Sequence, residues 1–422
     1  LDDNFGISVS ISGDNIVVGA YFDDDSGYNS GSVYIFTKPI TGWGNATETA
    51  KLLASDGAYT DYFGTSLSIS GDNIVVGAYY DDDNGYSSGS AYVYTKPLTG
   101  WVNATETAKL LASNGMANDW FGYSVSISGD NIVVGAHGGD NNGTNSGSAY
   151  VFTKPLTGWI NTTETARLVP SSGALDDYFG YSVSISGDNV VIGAHQDDDN
   201  GTNSGSAFIY TKPVAGWINA TETAKLLPTD GTGDDNFGYS ATISGDNVVV
   251  GAHLNDDNGT SSGSAYIYVK PNPSWISTTE TAKLIPSDGA QNEQFGYAVS
   301  ISGFNIVIGA HQDDDNGTNS GSSYLFTNCI PSAGSFSTTA CGSYTVPSGN
   351  HTHTNGGTYN VMDTISNNCG LDSVLTISIT VFPTLTSTIA ATICHYDSIV
   401  VNNTVYNATN PVGAELYTVG PN

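Results

Sequence analysis

Runs of aspartate that end in glycine recur along the chain, and these side chains could bind a metal ion. One run reads Asp81-Asp82-Asp83-Asn84-Gly85. Carboxylate and amide oxygens are hard ligands that suit Ca²⁺ better than a transition metal, and the glycine permits a sharp turn. We expect Asp81 and Asp83 to converge on one ion while Asp82 points elsewhere.

The third copy of this loop reads His137-Gly138-Gly139-Asp140-Asn141 and has lost two of its three carboxylates, so we expect it to bind calcium poorly. The alternative for every copy is a solvated acidic turn that keeps a glycine-rich surface soluble. The candidate metal ligands are Asp23, Asp25, Asp81, Asp83, Asp197, Asp199, Asp256, Asp313 and Asp315.

Two aromatic columns are weaker candidates. Histidines follow Gly-Ala at His137, His195, His253 and His311. Neighbouring members should lie too far apart to share an ion, which favours a structural role. The tryptophans Trp43, Trp101, Trp159, Trp217 and Trp275 most simply cap a hairpin, with stacking on sugars as the alternative. His351 and His353 form a pair that lacks a third ligand.

The composition restricts the partners. The 422 residues include 41 Asp and Glu against 10 Lys and Arg, a net charge of −31. Nucleic acids and anionic membranes attract the opposite sign, so both are excluded, and cations are the natural counter-charge. The sequence also has no apolar run long enough to cross a bilayer.

The candidate residues recur because the chain is built from a sequence repeat of 58 residues. Phe-Gly recurs with this constant step at Phe5, Phe63, Phe121, Phe179, Phe237 and Phe295. Each unit contains four short strand-like segments separated by Gly, Asp and Pro turns, and the almost wholly apolar segment Asn73–Ala78 suggests a sheet covered on both faces. We therefore predict an all-β protein with a β-propeller of six visible four-stranded blades; a solenoid is the alternative.

Phe-Gly at the start of each unit, together with Gly-Ala at the end of the second strand, resembles the FG-GAP repeat over residues 1 to about 327. That family includes the propeller of integrin α subunits and many bacterial surface proteins. Its calcium loop between the two motifs is replaced here by a tight Ser-Gly-Asp-Asn turn, so that metal site is not carried over. The chain begins inside a repeat, so residues upstream are expected. Either a fourth strand before Leu1 closes a six-bladed ring, or a seventh blade precedes it, as the resemblance to integrins implies.

The predicted propeller also segregates charge. Loops that join strands two and three, and loops that join strand four to the next blade, should emerge on one face; they hold most of the carboxylates. We expect no Lys or Arg on this face. The basic residues form two columns, Lys38, Lys96, Lys154, Lys212 and Lys270, and Lys51, Lys109, Arg167, Lys225 and Lys283.

The 58-residue period stops near Asn328, and alternating segments beyond it predict a small β-sandwich. The pattern around Cys341, Tyr344, Tyr359 and Cys369 resembles Ig-like repeats of Bacteroidetes adhesins. This resemblance implies a Cys341–Cys369 disulfide, a sandwich over 328–383 and a truncated second copy over 384–422. Cys329 and Cys394 stay unassigned, and a Cys329–Cys341 pairing stays open.

Nearly every polar residue of the propeller recurs in each repeat, so no position is singled out as an acid, base or nucleophile. We therefore expect no enzyme, but a secreted or cell-surface adhesion or structural fibre protein whose acidic face binds divalent cations and a partner. That partner would be a surface protein, a glycan, or other copies or domains of a long surface fibre. A lectin-like module is the alternative, and a polysaccharide-degrading propeller is a further one.

Overall fold

The computed structural model describes residues 3–327, 333–341, 343–349, 351–354, 357–366, 372–382, 399–401 and 404–406. It divides into two units, Leu1–Asn328 and Cys329–Asn422. The described residues form strands and turns, and they contain no helix that is long and apolar enough to cross a membrane.

The first unit is a series of six antiparallel sheets, one for each repeat, which confirms the predicted all-β propeller blades. Five sheets have four strands in sequential order and the sixth has three. Blades 1 to 3 comprise β1 Phe5–Ser12, β2 Asn15–Ala20, β3 Ser32–Thr37, β4 Ala50–Leu52; β5 Ser66–Ser70, β6 Asn73–Ala78, β7 Ser90–Thr95, β8 Ala108–Leu110; β9 Ser124–Ser128, β10 Asn131–Ala136, β11 Ser148–Thr153, β12 Ala166–Leu168. Blades 4 to 6 comprise β13 Ser182–Ser186, β14 Asn189–Ala194, β15 Ser206–Thr211, β16 Ala224–Leu226; β17 Phe237–Ser244, β18 Asn247–Ala252, β19 Ser264–Val269, β20 Ala282–Leu284; β21 Phe295–Ser302, β22 Asn305–Ala310, β23 Ser322–Thr327.

Each of the four internal blades buries both faces between its neighbours. In blade 2, the side chains of Phe63, Ile74 and Val76 pack against blade 1, on what we call the backward face of the blade. Val75 and Val93 pack against blade 3, on its forward face. Successive residues of a strand point to opposite faces, so a strand that is covered on both sides has to be apolar throughout.

The Phe-Gly and Gly-Ala motifs meet at every internal blade interface. A Cβ atom on Gly77 would lie 1.9 Å from the carbonyl oxygen of Gly122, and one on Gly89 would lie 1.9 Å from that of Phe121. The hydroxyl of Ser66 donates a hydrogen bond of 2.7 Å to the same Gly122 oxygen. No side chain fits between these backbones, which explains the glycines of the repeat.

Blades 1 and 6 do not pack against each other in this structure. The backward face of blade 1 and the forward face of blade 6 are both exposed to solvent: Val9 is 61% exposed and Leu325 is 71% exposed. The six blades of this chain therefore do not close into a ring by themselves.

The second unit contains a three-stranded sheet in which β24 Ala333–Cys341 runs parallel to β28 Asp372–Phe382, and β28 pairs antiparallel with β27 Gly357–Ser366. The short pairs are β25 Tyr344–Thr345 with β26 Thr352–His353, and β29 Ile399–Val401 with β30 Thr404–Tyr406. Buried side chains of Val346, Ile377, Ile379 and Val381 form its core.

The predicted disulfide cannot be placed on this sheet. Cys369, Cys329 and Cys394 lie outside the described residues, and of Cys341 only the backbone, at the end of β24, is described. The Cys341–Cys369 pairing and the Ig-like assignment therefore stay predictions.

Candidate functional site

The Asp-rich loop of blade 2 connects β6 to β7, and its three carboxylates have different roles. Asp81 is only 3% exposed; its carboxylate accepts hydrogen bonds from the Tyr92 hydroxyl at 2.6 Å and the Ser90 hydroxyl at 2.9 Å. Asp82 instead accepts the backbone N–H of Ser87 at 2.6 Å, which closes the turn. Asp81 points inward, and Asp82 points elsewhere, as expected.

A lysine ammonium occupies the place where Asp81 and Asp83 converge. Lys109 on β8 extends its Nζ to within 3.0 Å of Asp81 Oδ2, 2.5 Å of Asp83 Oδ2 and 2.7 Å of Asp56 Oδ2. The prediction that this face carries no basic side chain is therefore wrong. The register of the sheet is the reason, because β8 pairs Lys109 with Tyr92, whose hydroxyl donates to Asp81.

The oxygens of Asp56, Asp81 and Asp83 all lie within 4.8 Å of one another, so this group could also hold a metal ion. Among the described residues it is the one such group of three side chains. Asp56 was not among the predicted ligands because it precedes β5 in the loop from the previous blade, far from Asp81 in sequence.

Electrostatics favours the ammonium form of this lysine. Burial alone would lower the pKa of Lys109, but hydrogen bonds to Asp56 and Asp83 and the charge of Asp81 raise it above its ordinary value. Partial burial likewise would raise the pKa of Asp56, but the hydrogen bond and charge of Lys109 hold it below its ordinary value. The blade thus carries its own internal cation.

Blades 1 and 4 repeat this arrangement. Lys51 Nζ lies 3.0 Å from Asp23 Oδ2 and also pairs with Asp25. Lys225 Nζ lies 3.0 Å from Asp197 Oδ2, and its second partner is Asp199.

Blade 5 departs from the prediction. Asp256, which was predicted as a ligand, takes the middle position and accepts the backbone N–H of Ser261 at 2.7 Å. The carboxylates that pair with Lys283 are those of Asp257 and Asp230, the latter at 2.7 Å. The first position of the loop is Asn255, which shifted the predicted ligand by one residue.

In blade 3, where the loop has lost two carboxylates, the basic residue on the fourth strand also differs. Arg167 replaces lysine and donates a hydrogen bond of 2.7 Å to the side-chain oxygen of Asn141. This loop holds no carboxylate pair around the basic group, and the poor calcium binding expected of it stays a prediction.

Blade 6 keeps the carboxylates but has no lysine. Asp313 is 1% exposed and accepts a hydrogen bond of 2.8 Å from the Tyr324 hydroxyl, which also lies 3.0 Å from Asp288. A backbone hydrogen bond from Asp315 holds the pKa of Asp313 below its ordinary value. The described part of this blade lacks a fourth strand, and the sequence contains no Lys or Arg after Lys283.

Loops from two adjacent blades meet on this face, as predicted. The backbone N–H of Thr60, in the connection from blade 1 to blade 2, donates to the carbonyl of Tyr28 in the Asp-rich loop of blade 1 at 2.9 Å. The other lysine column pairs with the turns between strands one and two, as in Lys212 with Asp188 at 2.8 Å.

The histidines form part of an aromatic belt. A tyrosine ring separates successive imidazoles, because the Tyr181 ring centroid lies 5.3 Å from that of His137 and 4.2 Å from that of His195. Burial lowers the pKa of both imidazoles to about 3 and that of His253 to about 4. In all three, Nδ1 is buried without a hydrogen-bond partner. This supports a structural role for the histidines.

Four of the five repeated tryptophans are buried between blades. Trp101 packs among Val33 and Ile35 of the preceding blade. Trp43 is 46% exposed because no blade precedes it in this structure. The tryptophans therefore extend the blade interface, and four of them are not accessible for stacking on sugars. The buried members are Trp101, Trp159, Trp217 and Trp275.

Comparison with known proteins agrees with the repeat. A family model of the FG-GAP repeat matches residues 2–36, 46–94, 104–152, 162–210, 220–268 and 278–326. No curated protein sequence matches the chain. A solved structure described as "Complex of KlAtg21 with coiled-coil of AgAtg16" is similar at 11% identity with a TM-score of 0.39, over 66% of this chain and 69% of that chain.

Proposed function

Since this chain belongs to the FG-GAP repeat family, we propose that it is a non-enzymatic binding module of a secreted or cell-surface protein, which attaches to its partner through the Asp-rich loop face. The main support for the proposal is a repeated pair of carboxylates on this face. In four blades a lysine ammonium forms ion pairs with these carboxylates, whereas blade 6 has the carboxylates but no lysine.

Calcium enters this proposal at blade 6. Asp313 and Asp315 supply hard oxygen ligands next to Gly317, which suits Ca²⁺. Calcium would have to draw these carboxylates together with Asp288, because among the described residues only Asp56, Asp81 and Asp83 already form a compact group of three. In the lysine-containing blades a divalent ion would have to displace an ammonium that is buried in blade 2 and partly buried in blades 1, 4 and 5, so those loops are expected to stay closed to calcium. Bound calcium would provide positive charge on an otherwise acidic face.

The partner is expected to be a protein or glycan that is cationic or that supplies a further ligand to the bound calcium ion. The net charge of −31 repels polyanions, and the middle aspartates, such as Asp82 and Asp198, keep exposed carboxylates in the turns. The buried tryptophans weigh against a lectin that stacks sugars on that column. The non-enzymatic part of the proposal is supported by the ion pairs that tie up the inward carboxylates of Asp23, Asp81 and Asp197.

Calorimetric titration with CaCl₂ tests the calcium site. The chain is expected to take up one Ca²⁺, the double variant Asp313→Asn/Asp315→Asn none, and the matched control Asp140→Asn in blade 3 one. No uptake at millimolar calcium, or unchanged uptake by the double variant, would contradict the site.

Glycan arrays and capture of surface proteins with and without calcium test the binding role. A parallel incubation with acidic polysaccharides tests the exclusion of catalysis, since release of soluble products would favour an enzyme.

A further inference from the structure

Blade 5 differs from the other lysine-containing blades at the first position of its Asp-rich loop. This position is aspartate in blades 1, 2 and 4, and it is Asn255 in blade 5. Lys283 reaches it from β20, and the lysine Nζ lies 3.4 Å from Asn255 Oδ1. Among the inward-facing lysines of the described blades, Lys283 is therefore the one that lies against a side-chain amide.

The amide of Asn255 is buried, and its oxygen accepts hydrogen bonds from two further groups. Asn255 is 2% exposed. The Ser264 hydroxyl donates to Oδ1 at 2.9 Å, and the backbone N–H of Asp257 donates to it at 3.3 Å. Donors that converge on a carbonyl oxygen stabilise the negative charge that develops there when a nucleophile adds to the carbon. These contacts therefore activate the amide carbon of Asn255 toward attack by an amine.

The nitrogen of the same amide faces a buried acid. Asn255 Nδ2 donates a hydrogen bond of 3.3 Å to Asp235 Oδ2, and Asp235 is 2% exposed. Burial raises the pKa of Asp235 above its ordinary value, so this carboxyl group takes up a proton more readily than that of an exposed aspartate. A carboxyl group in contact with the amide nitrogen can transfer a proton to that nitrogen as it leaves.

Two further carboxylates contact the ammonium of Lys283. Its Nζ forms ion pairs with Asp257 and, at 2.7 Å, with Asp230. These carboxylates hold the lysine beside the amide, and they can accept the proton that an ammonium has to lose before its nitrogen can attack. The Tyr266 ring lies over the same Nζ, which is 5.0 Å from the ring centroid. One cluster thus contains a nucleophile, an activated amide carbon, a base and an acid.

We propose that Lys283 and Asn255 form an intramolecular isopeptide bond, which links β20 to the loop between β18 and β19. The ammonium transfers a proton to Asp257, and the free electron pair of Nζ then attacks the amide carbon of Asn255. As the bond from this carbon to Nδ2 breaks, the departing nitrogen takes up the two protons that Nζ loses, one of them through Asp235. An ammonium and a primary amide become a secondary amide and one released ammonium ion, with no change of oxidation state.

The aspartates at the same loop position of other blades are not expected to react. An amine does not add readily to the carbon of a charged carboxylate, so pairs such as Lys109 with Asp81 stay ionic. The bond in blade 5 would close the chain between residues 255 and 283 and restrict its unfolded state. It would also fix the three-residue strand β20 to its blade, whether or not the loop face binds a partner.

Mass spectrometry of the intact, reduced chain tests the bond. The chain is expected to be lighter than its sequence mass by one ammonia molecule, and digestion should release a branched peptide that joins Asn255 to Lys283. Lys283→Arg keeps the positive charge but replaces the amine with a guanidinium that stays protonated, so this variant should have the full mass. Lys225→Arg in blade 4 is the matched control and should keep the deficit.

Two more variants test the roles of the amide and the acid. Asn255→Asp gives blade 5 the residue found in blades 1, 2 and 4, and it should have the full mass. Asp235→Asn keeps a polar side chain but removes the acid, so the bond should form about 100-fold more slowly in freshly synthesised chain. Circular dichroism checks that each variant is folded.

An unmodified chain of full sequence mass overturns the proposal. A deficit that persists in Lys283→Arg also overturns it, because Asn-Gly pairs such as Asn258-Gly259 lose ammonia when they close to a succinimide. A deficit that is lost equally in Lys225→Arg refutes the assignment to blade 5. An unchanged rate in Asp235→Asn refutes the role of the buried acid.

Discussion

Replacing His195 with phenylalanine should remove the contribution of one buried histidine, about 2 kcal/mol at about pH 5, to the acid sensitivity of the propeller. The imidazole is 7% exposed, with the rings of Tyr178, Tyr181 and Tyr239 at centroid distances of 5.7, 4.2 and 5.6 Å. Burial lowers its pKa to about 3, with a smaller contribution from His253. The imidazole of His195 therefore stays uncharged in the folded protein at neutral and mildly acidic pH.

The magnitude follows from linkage between protonation and folding. An unfolded histidine has a pKa of about 6.5, so the stability from the neutral imidazole is fully present above that pH and is lost as pH falls. At about pH 5 the unfolded chain binds this proton and the folded chain does not. About 1.5 pH units at about 1.36 kcal/mol each give a loss of about 2 kcal/mol from His195.

Nearby carboxylates titrate in the opposite sense. Burial raises the pKa of Asp177 to about 6, so its protonation stabilises the fold as pH falls. Comparing the variant with the unmodified chain cancels this contribution, because both proteins retain Asp177.

The assay is urea unfolding, followed by tryptophan fluorescence, at neutral pH and at about pH 5. The loss in free energy of unfolding between the two conditions should be about 2 kcal/mol smaller for His195→Phe than for the unmodified chain. His311→Phe should give a smaller difference, since solvent reaches that imidazole. Equal losses for His195→Phe and the unmodified chain would refute the reasoning.

Three further predictions concern packing and ion pairs, and denaturant unfolding measures each. Lys109→Met should cost about 3–5 kcal/mol, because it leaves the buried carboxylate of Asp81 without its cation, whereas Lys154→Met at a surface pair should cost less than about 1 kcal/mol; equal costs would contradict the burial of the Asp81 ion pair. Gly77→Ala should destabilise by about 3 kcal/mol or more through collision with the next blade, while Gly309→Ala leaves the stability unchanged; a neutral Gly77→Ala would count against the close contact. Trp217→Ala should cost about 3–5 kcal/mol, and a cost near zero would show that its indole does not support the blade interface.

Local structure could be predicted well from the sequence. The apolar run of β6 and the Gly71 turn, where φ is +57°, encode a hairpin within a dozen residues. The opposite orientations of Asp81 and Asp82 could also be anticipated. These features depend on neighbours that are close in sequence.

The identity of the cation beside Asp81 could not be obtained in the same way. Lys109 lies 28 residues further along and reaches the loop through the pairing of β7 with β8. The repeats did contain an indication of this pairing, since the third copy loses two of its three carboxylates and also has Arg167 in place of lysine. It becomes interpretable once the register between strands is known.

The sequence by itself determined the repeat, the strands and turns of each blade, and the grouping of acidic loops on one face. Each of these follows from side-chain alternation and turn glycines, which act over a few residues. Only the tertiary structure decided that lysines fill four of the loops and that the faces of blades 1 and 6 lie open. Long side chains find their partners across strands and blades, and whether the end blades meet depends on the rotation between blades summed over five interfaces, which no local pattern specifies.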